Sequence, residues 1–187
     1  MKGKDYARKK SNHDNYNTPR PLTWELLKLG LFDYNRSVLE PACGQGAIVE
    51  ELKQHFHKIH FGDIKNNFDF LDENCDFDKY DYIITNPPFS QFDGFVIKAK
   101  EIAKEKFAFI GKTNFFGAEK RNRIGIWKNL KYVYIFNRQV DYRYFREDNY
   151  MQAGNLITGW FIWDMNWKEN YWMTSIIDVQ KYMLKKG

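Results

Sequence analysis

The tetrapeptide Asn86-Pro87-Pro88-Phe89 follows directly on the apolar, β-prone run Tyr82-Ile83-Ile84-Thr85. A strand that delivers an amide side chain, a backbone carbonyl and an aromatic ring to one spot can hold a planar nitrogen base. The Asn86 side-chain oxygen and the Pro87 carbonyl would accept hydrogen bonds from an exocyclic amino group, and Phe89 would stack on the ring. An aromatic amine is a weak nucleophile because its lone pair is delocalised into the ring. Two acceptors held out of the ring plane favour a pyramidal nitrogen and stabilise the charge that develops on it during attack. Consecutive prolines fix φ and remove two backbone donors that would otherwise need partners. This chemistry suits methyl transfer to an amine; a Pro-Pro turn ending a strand, with Asn86 as its cap, is the purely structural alternative.

A second constellation lies upstream, in Val38-Leu39-Glu40-Pro41-Ala42-Cys43-Gly44-Gln45-Gly46. A short apolar strand runs into two glycines, and Ala47 to Phe56 then carries Ile48, Val49, Leu52 and Phe56 at helical spacing. Glycines at the tip let the backbone approach a ligand closely, and a helix that follows aims its first N–H groups there. An ordinary strand-to-helix turn would share these features. Lys58-Ile59-His60-Phe61-Gly62 reads as the next strand and ends at Asp63. An acid roughly 20 positions past a glycine turn, at the tip of the following strand, can accept from both hydroxyls of a ribose. Asp69 could accept from an adenine amino group and Phe70 could stack on its ring.

Taken in order, these segments resemble the amino-methyltransferases that use S-adenosylmethionine, most closely the gamma-type DNA N6-adenine enzymes. The resemblance covers about residues 16 to 110 and rests on several ordered parts. It implies that Glu40, Pro41, Ala42, Cys43, Gly44 and Gly46 form the cofactor turn, that Asp63 with Ile64 binds the ribose, and that Asp69 and Phe70 hold the adenine. It also implies that Tyr16 and Thr18, within Tyr16-Asn17-Thr18-Pro19, lie over the methionine end of the cofactor beside Asn86. Asn86, Pro87, Pro88 and Phe89 would be the catalytic motif. The implied fold is a Rossmann-like class I methyltransferase domain, and the implied reaction moves a methyl group from S-adenosylmethionine to N6 of adenine in DNA, the base leaving the stack to reach Phe89.

Other acceptors fit the same motif. Adenine in structured RNA is the strongest of them; cytosine N4 and a protein glutamine are weaker, and a non-catalytic nucleic-acid-binding subunit is an alternative of another class. The chain departs from the gamma pattern downstream, where 187 residues leave no room for a sizeable target-recognition domain. A homodimer or a separate recognition subunit could supply that surface.

The elements that must position these residues are legible as alternating strands and helices. Pro21 to Leu29 places Leu22, Leu26 and Leu29 on one side, with Gly30 as cap. Phe92, Phe95, Val96, Ala99 and Ile102 form the stripe of a helix between the Asn86 strand and Phe107-Ala108-Phe109-Ile110, read as the fifth strand. Asn155 to Trp163 reads as part of a late antiparallel hairpin. Such alternation predicts an α/β domain with a doubly wound, mainly parallel sheet and a C-terminal antiparallel hairpin, with Glu40, Asp63 and Asn86 at the carboxyl edge.

Composition predicts one catalytic domain over residues 16–187 behind a basic tail at 1–15: 43% of residues are hydrophobic and 18% aromatic, enough for one substantial core. There is no uncharged apolar stretch of about 18 residues to span a membrane and no hydrophobic region behind the basic N-terminus, so a cytoplasmic protein is expected. Cys43 and Cys75 are too few for a structural zinc site, and no metal is expected. Heavy Lys, Asn and Tyr usage suits a bacterial or phage origin.

Charge is segregated. The first ten residues carry +4 of the formal +5, and Glu119 to Lys131, with Lys120, Arg121, Arg123, Lys128 and Lys131, carries another +4, leaving the remainder slightly acidic. This pattern suits a phosphate backbone better than uniform basicity would. The tail would equally serve as a solubilising end. The segment reads as a helix with Ile124, Ile126, Trp127 and Leu130 inward and Lys120, Arg121 and Arg123 offered outward. Arg143, within Tyr142-Arg143-Tyr144-Phe145-Arg146, could join them, with the aromatics either stacking on unpaired bases or belonging to the core.

Overall fold

Helix α1, Arg20–Lys28, begins where the sequence places prolines, which are tolerated in a first turn whose N–H groups have no intrahelical partner. It buries Leu22, Leu26 and Leu27, and Gly30, at φ +67°, ends it by donating its N–H to the Leu27 carbonyl. The protein is described here from a computed structural model covering residues 17–73, 78–142, 151 and 153–183. The basic tail, Tyr16, Cys75 and Arg143 lie outside the described residues.

Two steps of strand, helix and strand build the parallel part. Strand β1 (Ser37–Glu40), helix α2 (Ala47–Leu52) and strand β2 (Lys58–Phe61) form the first; strand β3 (Tyr80–Thr85), helix α3 (Phe92–Ile102) and strand β4 (Ala103–Lys112) form the second. All five residues of the expected α3 stripe are buried. A one-turn helix α4 (Glu119–Arg123) leads to β5 (Leu130–Phe136), then β6 (Thr158–Asp164) and β7 (Met173–Ile177). The seven strands form one sheet in the order β2-β1-β3-β4-β6-β5-β7. Pairings are parallel except at β6, which runs antiparallel to both β4 and β5. The mixed α/β, mainly parallel sheet with an antiparallel pair is therefore as the sequence predicts. Its antiparallel partners β5 and β6 are joined by the long stretch 137–157 rather than a tight turn.

The core lies along β3, β4 and β6, where every residue of β6 is buried. Trp163 stacks on Phe107 at 4.7 Å and 11° between planes, and Phe92 of α3 packs against Phe109, Phe161 and Trp163. Each indole N–H on β6 finds a partner: Trp160 donates to the Leu22 carbonyl of α1 at 2.8 Å, and Trp163 to the Ile126 carbonyl at 3.0 Å. No helix among the described residues is long and apolar enough to cross a membrane.

Three local expectations are corrected. Helix α2 ends at Leu52, although the Phe56 N–H still bonds the Leu52 carbonyl and the whole stripe Ile48, Val49, Leu52, Phe56 is buried. No strand forms among the described residues between β2 and β3, so Phe107–Ile110 belongs to the fourth strand in chain order. The basic segment is not one amphipathic helix: Gly125 at φ +69° and Asn129 at φ +68° turn the chain twice, Ile124 is exposed, and Leu130 and Lys131 already lie in β5.

One polar tether holds α1 to the C-terminal turn at Gln180–Tyr182. Glu25 accepts from the Tyr182 hydroxyl at 2.6 Å and pairs with Lys28 at 2.9 Å and Lys181 at 3.0 Å. Burial pushes its carboxyl up, but these three donors outweigh it and hold it near 2, below the usual 4.5. A depressed folded value stabilises the protein above the unfolded value, and that contribution is lost as pH falls through the folded one. Glu25→Gln should therefore lower Tm by a few degrees at pH 7, and the gap should close as pH falls from about 5 toward 2, read by circular-dichroism melts.

Candidate active site

The strand order changes direction between β1 and β3: the chain leaves β1 for β2 on one side and leaves β3 for β4 on the other. The two backbones diverge there, and their carboxyl ends border a crevice, the usual ligand position in such sheets. Glu40 ends β1, Thr85 ends β3, and Asn86 follows it. A cleft at this point is lined by Thr18, Glu40, Ala42, Cys43, Gln45 and Asn86, among others.

The glycine turn is shaped by backbone need. Gly44 and Gly46 sit at φ +53° and +86°, in the left-handed region that a side chain disfavours. Gly46 precedes α2 with no side chain to cap it, and Glu40 takes over that task by accepting the N–H of Val49 in the first turn. The other carboxylate oxygen of Glu40, Oε2, is buried without a hydrogen-bond partner. Burial raises this carboxyl well above the ordinary range; the Val49 N–H opposes the shift and the nearby Asp63 charge adds to it. Burial, reinforced by Glu40 and Asp63, also pushes the Cys43 thiol up to about 11, so it stays protonated.

Asp63 sits at the tip of β2, where the sequence places it, and is 9% exposed. Its Oδ2 accepts the Gly44 N–H at 2.9 Å and its Oδ1 the Lys65 N–H at 3.0 Å. The carboxylate thus braces the glycine turn against the loop after β2, together with Cys43 N–H to the Gly62 carbonyl (2.9 Å) and Gly62 N–H to the Glu40 carbonyl (3.0 Å). Ile64 is exposed beside it. Asp69 accepts the Leu71 N–H, and the Phe70 ring, expected to stack on a base, instead packs inside against Phe95 of α3 at 5.0 Å. Phe68 was not singled out in the sequence; its ring lies so close over Gly62 that a Cβ there would meet it at 2.2 Å.

At the catalytic motif, Asn86 Nδ2 donates to Thr18 Oγ1 at 3.1 Å. That bond fixes the amide with Oδ1 turned the other way, and Asn86 Oδ1 is buried without a partner. The Asn17 N–H donates to the Tyr142 carbonyl at 2.7 Å, which pins the segment bearing Thr18 to the site. The turn into the 3-10 helix Phe89–Gln91 uses the Pro88 carbonyl, bonded by Gln91 N–H at 2.8 Å, not the Pro87 carbonyl. Phe89 is only 5% exposed; Phe115 and Tyr142 meet it edge-to-face at 6.1 and 6.2 Å, and Lys112 Nζ lies 4.6 Å from its ring centroid. It is a buried ring covered by these neighbours rather than the open stacking surface the sequence suggested.

Among the residues expected to bind nucleic acid, Arg121 is engaged, its Nε donating to Asp93 at 2.5 Å and its guanidinium lying 4.1 Å over Phe115. Arg123 pairs with Glu119 at 3.1 Å on the exposed face that also carries Lys120. Tyr142 is core, its hydroxyl hydrogen-bonded to Thr158 at 2.7 Å.

No protein-family model matches the sequence, and no curated relative does. Solved structures do match. The chain is similar to a Listeria monocytogenes protein assigned to the class I S-adenosylmethionine-dependent methyltransferases, with a TM-score of 0.60 and 14% identity, over 90% of this chain and 68% of that one. It is similar to the M protein of the type I restriction enzyme EcoKI at TM-score 0.62 and 14% identity, over 90% of this chain and 49% of that one. It is similar to the 23S rRNA methyltransferase ErmE at TM-score 0.51 and 14% identity, over 83% and 70% of the two chains. The chain thus spans about half the length of the restriction-enzyme protein. Likeness at these identities defines the fold, and the fold is that of the class I methyltransferases.

A carboxyl raised by burial stabilises the folded chain below its unfolded value, and that contribution is lost as pH rises through the folded one. Glu40→Gln should therefore melt at a higher temperature than the wild type at pH 8, and the two should converge as pH is lowered toward 4. A wild type that is the more stable at pH 8 would show that Glu40 is not strained.

Proposed function

We propose that this chain transfers the methyl group of S-adenosylmethionine to the exocyclic N6 amino group of adenine in DNA. The observation that carries this reading is the Asn86 amide: Nδ2 is tied to Thr18, and Oδ1 is buried, unpartnered and beside the cleft at the sheet's switch point. A buried acceptor held open in this way is suited to an N–H donor that arrives with a ligand.

The residues present fit the cofactor. Glu40, with an unpartnered buried oxygen, would be drawn back to its charged form by the cationic methionine end of the molecule, and Thr18 would lie beside it. Pro41, Ala42, Cys43, Gly44 and Gly46 would let the backbone close on it, with Asp63, Ile64 and Asp69 facing its ribose and adenine. When bound, it supplies an electrophilic methyl on a sulfonium. The protein supplies position and charge: Asn86 Oδ1 and the Pro87 carbonyl accept the two amino hydrogens, direct the nitrogen lone pair toward the methyl, and stabilise the positive charge that develops there. Pro88 holds the turn, and Phe89 walls the base pocket. Direct attack needs no covalent enzyme intermediate.

The M protein of EcoKI supports DNA as the acceptor class. Structured RNA is the second reading, supported by the likeness to the rRNA methyltransferase. Target choice would reside in a partner subunit or a second copy.

Incubation with labelled S-adenosylmethionine and matched duplex DNA, single-stranded DNA and structured RNA, followed by nucleoside mass spectrometry, tests the reading. N6-methyladenine in DNA is the expected product, label confined to RNA selects the second reading, and no label despite cofactor binding overturns both. Asn86→Ala should lower kcat by about 10²–10³-fold, the scale of losing one transition-state hydrogen-bonding group, with cofactor affinity by calorimetry nearly unchanged.

A further inference from the structure

Lys112 is the last residue of β4, at the same carboxyl edge where β1 and β3 end, and it pairs across the sheet with Thr158. Its Nζ lies 4.6 Å from the Phe89 centroid and 6.0 Å from that of Phe115. Among the described residues no carboxylate pairs with it, and the ring attraction holds it. The other described residues around Phe89 are anchored more firmly. Tyr142 is buried with its hydroxyl on Thr158, and Phe115 is covered by Arg121, itself paired with Asp93. Of these described neighbours Lys112 is the one held only by ring attraction, and a planar base can reach Phe89 by displacing it. A displaced ammonium on a flexible four-carbon stem needs an anion, and the closest anion to an extruded base is the phosphate of its own strand.

We infer that Lys112 is a nucleic-acid contact of the acceptor pocket, covering the Phe89 ring in the free protein and moving onto a DNA backbone phosphate when the target base enters. The inference rests on the proposed adenine-methylating reading for where the base sits. Lys112 was absent from the residues expected to bind nucleic acid because an isolated lysine at a strand end belongs to no basic run. By contrast Arg121, Arg123 and Lys131 lie in that run, and each pairs with a carboxylate.

The test is binding of a fluorescein-labelled duplex by the full chain across a NaCl series, read by anisotropy, for wild type, Lys112→Met and Lys112→Arg. Lys112→Met should flatten the slope of log affinity against log salt by about 0.9, the value for one phosphate contact, and weaken binding roughly tenfold near 0.1 M salt. Lys112→Arg should keep the wild-type slope. Calorimetric affinity for S-adenosylmethionine should be the same in all three, which also reports that each is folded. An unchanged slope in Lys112→Met, a Lys112→Arg slope as flat as that of Lys112→Met, or a wild type that does not bind the duplex would each overturn the inference. Binding is measured without turnover, so the two readings fail separately. A Lys112-dependent slope with no methylated adenine sinks the methyl-transfer reading alone, and methylated adenine with a Lys112-independent slope sinks this inference alone.

Discussion

The parallel pairing of β1 with β3 is the constraint on which the site depends. Val38 lies opposite Tyr82 and Leu39 opposite Ile83, so Glu40 and Asn86 both emerge at the same edge. The neighbouring strands, β2 beside β1 and β4 beside β3, lie on opposite sides of this pair and leave a crevice at its carboxyl ends. A slip of one residue in this register would turn every side chain of β3 to the opposite face and remove Asn86 from the cleft.

Around that crevice, polar groups divide into those that build and those left open. Backbone N–H groups of Gly44 and Lys65 are satisfied by Asp63, and that of Val49 by Glu40, so carboxyl groups brace the glycine turn. Glu40 Oε2, Thr85 Oγ1 and Asn86 Oδ1 remain buried without partners. Each such group costs about 1–3 kcal/mol, and these three lie together at one sheet edge.

The C-terminal half supplies the rigidity that tolerates this cost. Strand β6 contributes two tryptophans whose rings fill the core and whose indole N–H groups bond carbonyls from α1 and from the loop before β5. Tyr142 serves three neighbours at once: its carbonyl holds Asn17, its hydroxyl meets Thr158, and its ring meets Phe89. The cleft is thus assembled from residues near 18, 40–46, 63 and 86–89, with a brace from a stretch more than fifty residues further along.

Local chemistry was legible in the sequence because it is written in neighbouring residues. The α3 stripe, the Gly30 cap, the glycine turn after β1 and the acid at the tip of β2 depend on periodicity and on φ angles that few residues adopt, and each lies where those rules put it. Long-range pairing was not legible. The Thr18–Asn86 bond spans 68 positions, and only the sheet order brings its ends together. Tertiary packing also decided which way ambiguous side chains face: Phe70 turns to Phe95, Arg121 turns to Asp93, and Lys112 covers Phe89. An aromatic or a cation carries no mark in the sequence of whether its partner will be core, carboxylate or ligand. That choice follows from which surfaces the completed sheet leaves within reach of a side chain.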